Sequence, residues 1–259
     1  MAEATRQRQE RLLTLLDQQG ELELASLVSK LDASEATLRR DLTALEEQGL
    51  LVRTFGGARS IRSSSLVART FTEKQRQMRK EKESIAVAAA GLVTPGMVVA
   101  LDSGTTAWRI AVALREKAPL TIVTTALAAV EELGPLPGMK VELAGGTFRP
   151  ANLDFVGPAA IERLGTLQAD LAFVGVDSLV AGRGGFSADA GSAAVAAALA
   201  RCAQRTVVVM DHSKFDAQGC HLVVAAKDMD YLITDAGISA KMRARLAGEP
   251  YKLLVGANG

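Results

Sequence analysis

The chain has 259 residues, of which 48% are hydrophobic and 4% aromatic, and its formal net charge is only +1. This composition is typical of an α/β core in which Ala, Val, Leu and Gly pack parallel strands against helices. No apolar run approaches the roughly 18 residues of a membrane span, and the polar N-terminus lacks the apolar core of a signal peptide. We therefore expect a cytoplasmic protein with no membrane partner.

The two cysteines, Cys202 and Cys220, stand far apart and have no metal-type spacing. In a cytoplasmic protein such residues are ordinarily reduced thiols. The sequence also lacks a Walker Gly-x-x-x-x-Gly-Lys-Ser/Thr pattern and zinc-type ligand spacing. We expect neither a metal site nor a cofactor.

Positive charge is concentrated in residues 49–80, which carry eight basic residues against one acidic residue, Glu73. The net charge of this segment is +7, so the rest of the chain sums to about −6. The basic residues are Arg53, Arg59, Arg62, Arg69, Lys74, Arg76, Arg79 and Lys80. This asymmetry predicts an anionic partner for the N-terminal part of the chain.

The first sixty residues predict three helices followed by a hairpin. Leucines at helical spacing mark the first helix, and "LASLVSKL" marks a short second helix. After the turn "DAS", Ser34 is the expected N-cap of a third helix that buries Leu38, Leu42 and Leu45. The segment "LLVRTFGGARS" predicts two strands joined by a Gly-Gly turn, as in a wing.

The third helix and the wing carry the candidate DNA contacts. Thr37 and Arg40 share a face with Ser34, and Arg39 flanks that face. Arginine can pair bidentately with guanine or contact a phosphate, and the two wing arginines would reach phosphates or a minor groove. The candidate residues are Ser34, Thr37, Arg39, Arg40, Arg53 and Arg59. A three-helix bundle with merely solvated arginines is the alternative, but the capped helix and basic hairpin in series favour DNA binding.

The stretch "SEATLRRDLTALEEQGLLVRTFGGA" resembles the helix-turn-helix and wing signature of DeoR-family bacterial transcription regulators. Leu38 stands where that family typically has Ile, and "DAS" stands where Gly-Val-Ser is usual. The resemblance implies that residues 1–60 form a winged helix-turn-helix domain that binds a double-stranded DNA operator. Residues 61–80 are expected to be a basic linker with some extended or helical character, either adding DNA backbone contacts or solvated.

From residue 81 to residue 259, strand-like and helix-like segments alternate. Apolar strands such as "MVVALD", "LTIVTT" and "ADLAFVGV" are separated by helical segments such as "TAWRIAVALRE". The segments "RTVVVMD", "HLVVAA" and "DYLIT" are further strands, and "YKLLV" is a candidate edge strand. This alternation predicts an α/β fold with a doubly wound, mostly parallel sheet, in which ligands bind at the carboxyl ends of the strands.

Polar residues and glycines collect directly after the predicted strands. The amides and hydroxyls of "DSGTT", residues 102–106, can hold a phosphate at a helix N-terminus, and its glycine permits close approach. A lysine can add a cation, and aspartates can accept hydrogen bonds from sugar hydroxyls. The candidate effector-binding residues are Asp102, Ser103, Gly104, Thr105, Thr106, Thr125, Gly145, Gly146, Asp154, Asp177 and Lys214. Alternatively, each of them is a turn residue or a helix cap.

The resemblance to the DeoR family continues through the blocks "LDSGTTAWRIA", "ADLAFVGVDSL" and "MDHSKF". The family's effector domain is similar to ribose-5-phosphate isomerase and glucosamine-6-phosphate deaminase, so the resemblance implies a response to phosphorylated sugars or related metabolites. Thr125-Ala126 stands where the family often has Asn-Ser. Gly191 and Ser192 stand where the family usually has an acidic pair.

Three classes of function are compatible with this sequence: a ligand-responsive transcription regulator, a sugar-phosphate isomerase or deaminase with a DNA-binding appendage, and a DNA-binding scaffold. The only histidines, His212 and His221, have no evident acid–base partner in the sequence, so we expect no enzymatic activity. The clustered glycines and hydroxyl residues favour a ligand site over a scaffold. We expect a homo-oligomeric repressor, dimer or tetramer, whose affinity for its operator is controlled by a phosphorylated sugar effector.

Overall fold

A computed structural model of the chain describes residues 2–19, 21–48, 50–54, 56–60, 71–215 and 217–257. The chain divides into two compact units, Met1–Ala68 and Arg69–Gly259. The first half of the expected linker, residues 61–70, lies outside the described residues. No helix in the described ranges is long and apolar enough to cross a membrane.

The smaller unit is a winged helix-turn-helix, as the sequence predicts. Its elements are α1 Ala2–Gln19, β1 Glu21–Glu23, α2 Leu24–Leu31, α3 Glu35–Glu47, β2 Leu51–Thr54 and β3 Gly57–Ser60. Leucines from all three helices form its core, and the strands pair antiparallel in the order β1-β3-β2. Strand β1 was not predicted, because a three-residue Glu-Leu-Glu segment carries too little pattern to indicate a strand.

The local signals for α3 act as expected. The Ser34 hydroxyl caps the helix by accepting a hydrogen bond from the Thr37 amide at 3.2 Å. Leu38, Leu42 and Leu45 are buried against the other helices. Because an α-helix turns about 100° per residue, burial of this stripe of leucines leaves the opposite face of α3 exposed to solvent.

The larger unit is built around a seven-stranded sheet in the order β15-β14-β12-β9-β4-β5-β6, with every neighbouring pair parallel. The sheet strands are β4 Val98–Leu101, β5 Leu120–Thr124, β6 Met139–Leu143, β9 Ala169–Gly175, β12 Ala203–Val209, β14 Tyr231–Thr234 and β15 Lys252–Val255. The helices are α4 Phe71–Arg76, α5 Arg79–Ala90, α6 Thr105–Leu114, α7 Leu127–Leu133, α8 Pro158–Gly165, α9 Ala190–Arg201 and α10 Ala240–Leu246. The predicted parallel α/β fold is thus confirmed.

Helices cover both faces of the sheet, and the central strand β9 divides its side chains between them. Leu171 and Phe173 pack with α5, α6 and α7, whereas Ala172 and Val174 pack with α8 and α9. A strand that is buried on both faces is apolar throughout, and this explains the continuous apolar runs of the sequence.

Two features differ from a simple alternation. The segment "HLVVAA" forms β13 His221–Ala225, which joins β10 Ser178–Val180 and β11 Gly184–Ser187 in a small antiparallel sheet. A parallel neighbour of β12 needs a helical crossover, and only a short 3-10 turn at His212–Lys214 links β12 to β13. A second antiparallel pair joins β7 Thr147–Arg149 to β8 Asp154–Val156.

Candidate functional site

A cavity of about 310 Å³ lies at the carboxyl ends of β4, β9 and β12. We call it the strand-end cavity. It is lined by residues 102–107, 175–177 and 209–211, together with Asn152, Asp154, Ser187, Ser192, Ala196, Ser213 and Lys214. The segment around α4 and α5 contributes Phe71, Lys74, Gln77, Met78 and Lys82. Its volume suits a small polar metabolite.

Residues 102–106 form the expected turn between β4 and α6, inside this cavity. Gly104 has φ +100°, a conformation that side-chain-bearing residues rarely adopt, and no atom lies within 4 Å of where its Cβ would stand. Helix α6 begins at Thr105, and the first amides of a helix have no acceptor within the helix. The turn therefore presents free N–H groups and positive helix-dipole potential to the cavity, as phosphate binding requires.

Asp102 closes the base of the turn. Its two carboxylate oxygens accept hydrogen bonds from the Ser103 amide at 2.7 Å and from the Gly175 amide at 2.9 Å. Burial raises the pKa of Asp102 to about 7, and the nearby charges of Asp154 and Asp177 act in the same direction. Asp102 is thus a buried group that holds β4 and β9 together and whose charge changes near neutral pH.

Asp154 is fixed by an arginine that the sequence analysis did not single out. The Arg149 guanidinium donates to both carboxylate oxygens of Asp154, at 2.9 and 2.7 Å, and the Ser103 hydroxyl donates to the same carboxylate at 2.8 Å. Arg149 also donates to Asp189 at 2.7 Å and to the Ser192 hydroxyl at 2.8 Å. These carboxylates raise the pKa of Arg149, the Asp154 contact being the largest cause.

The network of Arg149 extends to the start of α9, where Gly191 and Ser192 stand. Asp189 caps α9 by accepting from the Ser192 amide at 2.7 Å, and the Ser192 hydroxyl donates to the same oxygen at 2.8 Å. These hydrogen bonds, more than the Arg149 charge, lower the pKa of Asp189. Asp189 thus supplies the carboxylate that Arg149 contacts, and the Ser192 hydroxyl lies at the cavity wall.

Three lysines line the strand-end cavity, and only Lys214 was among the predicted residues. The Lys214 ammonium lies 4.0 Å from Asp177, whose other oxygen accepts from the Ser187 hydroxyl at 3.0 Å. Lys74 comes from α4 and Lys82 from α5. Sequence reasoning missed Lys74 because it falls in the expected linker. It missed Lys82 although this lysine stands three residues before the fully buried Ile85, a signal that the side chain shares the buried helix face.

Three predicted effector residues do not line the cavity: Thr125, Gly145 and Gly146. Thr125 is fully buried after β5, and its carbonyl accepts from the Phe155 amide at 2.9 Å. A Cβ on Gly146 would lie 2.6 Å from the Val156 carbonyl oxygen, so this glycine allows β8 to pack closely. The β7–β8 hairpin, which the sequence did not indicate, packs against these strand ends. Thr125 and Gly146 therefore make structural contacts with β8 and do not line the cavity.

The candidate DNA residues fall into separate environments. Arg40 is exposed and forms no ion pair with any residue that the structure describes. Arg39 is paired with Glu35 at 2.6 Å, and the Arg53 guanidinium donates to the Thr43 hydroxyl at 3.0 Å. Ser34 and Thr37 lie at the start of α3, whereas Arg59 lies in β3 with its side chain outside the described part of the structure.

A buried ion pair, also unforeseen, supports α3 next to Arg40. Asp41 is 4% exposed and accepts from Arg8 of α1 at 2.6 and 3.3 Å and from Gln9 at 3.1 Å. Such a pair fixes the relative position of two helices, because removing either partner leaves a buried charge without compensation. The structure thus places an aspartate on the face that the sequence assigns to leucines.

Comparison with known proteins agrees with this architecture. The family model for the DeoR C terminal sensor domain matches residues 77–236, and the model for the DeoR-like helix-turn-helix domain matches residues 8–64. The chain belongs to the DeoR family. It is a DNA-binding transcription regulator with a sensor domain, which confirms the resemblance noted from its motifs.

Curated relatives of this DeoR-family regulator are similar over most of their length. The transcriptional repressor AccR of Agrobacterium fabrum is 33% identical, with 90% of this chain and 91% of the relative covered. The glycerol-3-phosphate regulon repressor of Haemophilus influenzae is 30% identical, with 88% of each chain covered. The lactose phosphotransferase system repressor of Lactococcus lactis subsp. lactis is also 30% identical, covering 90% of this chain and 92% of the relative.

Among solved structures, ribose 5-phosphate isomerase A from Methanocaldococcus jannaschii aligns over 54% of this chain and 55% of that chain. The sequence identity is 20% and the TM-score is 0.41. This alignment carries no argument about function.

Proposed function

We propose that this DeoR-family regulator represses genes of sugar metabolism and that a phosphorylated sugar in the strand-end cavity controls its affinity for operator DNA. The observation that carries this proposal is the turn at residues 102–106, open to the cavity at the N-terminus of α6. Curated relatives include repressors of a glycerol-3-phosphate regulon and of a lactose phosphotransferase system. These names support a carbohydrate-related ligand.

The cavity offers different chemistry to the two ends of such a ligand. The phosphate would accept from the amides of residues 104–106, from the hydroxyls of Thr105 and Thr106 and from the lysines of the cavity. The sugar hydroxyls would donate to Asp177 and bond with Ser187 and Ser192, which line the same cavity. Asp154 contributes indirectly, because its carboxylate already holds Arg149 and the Ser103 hydroxyl.

We assign DNA reading to the exposed face of α3. Arg40 projects opposite the buried leucines, with Ser34 and Thr37 one turn closer to the start of the helix. A homo-oligomer, dimer or tetramer, would present two such helices to the two half-sites of an operator. Arg53 and Arg59 would hold the wing on the phosphate backbone.

The enzyme alternative has one specific observation in its favour, since a pKa of about 7 suits Asp102 to acid–base work. Against it, both Asp102 oxygens are engaged by backbone amides. His212 is held by Asp235 at 2.7 Å and is not among the described residues that line the cavity. We therefore propose that the cavity senses its ligand and does not convert it. Isomerisation or deamination of a sugar phosphate by the purified protein would contradict this proposal.

The test is a thermal-shift screen of the full chain, with operator binding measured in the same samples. The phosphate panel consists of inorganic phosphate, glycerol 3-phosphate, ribose 5-phosphate and glucose 6-phosphate, with glycerol, ribose and glucose as unphosphorylated controls. We expect at least one phosphorylated compound to raise Tm and to lower operator affinity by about 5- to 150-fold, the usual range of allosteric coupling. No shift from any compound at millimolar concentration would favour a scaffold.

A further inference from the structure

One wall of the strand-end cavity comes from the segment that follows the DNA-binding unit in the chain. Phe71, Lys74, Gln77 and Met78 all line the cavity, and all lie in or directly after α4. Phe71 is buried, and its amide donates to the Ala151 carbonyl at 2.9 Å. The segment expected to be the end of a linker is therefore packed against the site of the ligand.

A single buried ammonium group attaches this wall to α5. Lys82 is 6% exposed, and its ammonium donates to the carbonyls of Lys74 at 2.7 Å and Gln77 at 2.6 Å. We call this contact the Lys82 bridge. An ammonium has three donors, so two carbonyls leave one N–H for another acceptor. Burial lowers the pKa of Lys82; the charge of Asp211 opposes this shift, whereas the positive charges of Lys214, Arg109 and Lys74 add to it.

The sole tryptophan of the sequence reports on the same wall. Trp108 stands in the first turns of α6, just after the phosphate-binding turn, and its ring meets the Phe71 ring edge-on with centroids 6.4 Å apart. A movement of α4 relative to α6 would change the surroundings of this indole. The chain thus contains its own fluorescent probe of the contact between wall and turn.

We propose that Lys82 binds the phosphate of the effector with its third N–H while holding the α4 carbonyls with the other two, so that effector binding immobilises α4. This inference rests on the proposed function, because it assigns a regulatory route to the same cavity. A phosphate near Lys82 supplies a counter-charge for the buried ammonium and keeps it protonated, so that all three of its N–H donors remain available. Because α4 is the first described element after the DNA-binding unit, an ordered α4 changes the constraint on the chain that leads to that unit.

The experiment compares the full-length Lys82→Met variant with wild type and with the Lys80→Met variant. Lys80 is exposed on the same helix, so its substitution removes an equal charge without touching the bridge. Probe binding is measured with the phosphate panel, the order of α4 by hydrogen exchange of residues 71–77, and the Trp108 surroundings by fluorescence. The Tm of each variant without ligand verifies that it is folded.

We expect wild type and Lys80→Met to gain α4 protection and to change Trp108 emission when a panel compound binds. Lys82→Met should bind that compound about tenfold or more weakly, as expected for a lost charge-assisted hydrogen bond. Its α4 should also exchange faster without ligand and gain no protection with it. If Lys82→Met binds and responds like Lys80→Met, the bridge is not the route and the inference fails, while the proposed function stands.

Two further outcomes separate the inference from the proposed function. If wild type binds no compound of the panel, the proposed function fails and the inference fails with it. If Lys82→Met does not fold, hydrogen exchange of residues 71–77 in wild type decides, because the bridge holds the Lys74 and Gln77 carbonyls. Protection that rises when a panel compound binds would then support the proposal, and protection unchanged by a compound that binds would overturn it.

Discussion

Replacing Arg40 with alanine should abolish most of the sequence discrimination of this regulator without unfolding it. Arg40 is exposed, and it projects away from the leucines because two residues of α3 turn about 200° from Leu38. Its side chain supports no buried contact in the described structure. We therefore expect the free energy of unfolding of Arg40→Ala to stay within about 0.5 kcal/mol of wild type.

The size of the binding loss follows from the geometry of the guanidinium. One bidentate arginine–guanine pair is worth about 1–3 kcal/mol of discrimination. A symmetric dimer loses one pair in each half-site, so the total is about 2–6 kcal/mol, or roughly 30-fold to more than 10,000-fold. Arg39→Ala is the matched control, since Arg39 is already paired with Glu35 at an exposed position where such pairs contribute little.

The assay is fluorescence anisotropy with the operator duplex, recovered by selection with wild-type protein, and with a scrambled duplex at several salt concentrations. Arg40→Ala should lower the ratio of specific to nonspecific affinity. Arg39→Ala should weaken both duplexes alike and reduce the salt slope by about two, one for each half-site. An unchanged ratio in Arg40→Ala together with a reduced ratio in Arg39→Ala would refute the assignment of the reading face.

Three further predictions concern the strand-end cavity. Gly104→Ala should lower Tm and blunt the response to panel compounds, because φ +100° strains a residue with a Cβ, whereas Gly165→Ala, with open space and no positive φ, should do neither. The double variant Thr105→Ala and Thr106→Ala should lose the effector response in operator titrations while binding DNA like wild type. Weakened DNA binding would contradict the assignment of these two residues to the effector site. The pKa of Asp102 is higher in the folded chain than in the unfolded chain. Its contribution to the free energy of unfolding should therefore be lost as pH rises from about 4 to about 7. The Tm of Asp102→Asn, measured across the same range, should not show this decrease.

The fold could be predicted from the sequence because its main signals are local. Apolar strands, capped helices and glycine turns occur where each element begins and ends, and the parallel sheet follows from their alternation. Exceptions arise where distant segments decide the pairing. The β7–β8 hairpin and the small sheet containing β13 consist of short segments whose partners are set by tertiary contacts, so their own residues carry little pattern.

The site could be predicted mainly where its residues follow sheet strands. Asp102 to Thr106 and Asp177 meet at one edge because parallel strands end there. Arg149 joins Asp154 to Asp189, which is forty residues away along the chain, and no local spacing indicates such a contact. The contacts of Lys82 could not be predicted from the sequence either, because its carbonyl partners lie in a segment whose polar composition resembles a linker.

The balance of charge in the cavity bears on the proposed phosphate. Arg149 compensates the charge of Asp154, and Lys214 lies near Asp177, so the repulsion of a phosphate by these two aspartates would be reduced. Asp102 has no such partner, but burial raises its pKa to about 7, and the approach of a phosphate would raise that pKa further. A phosphate in this cavity would therefore favour the protonated form of Asp102, and its negative charge would stabilise the ammonium of Lys82, whose pKa burial lowers. Both buried groups would thus favour their protonated forms beside the anion.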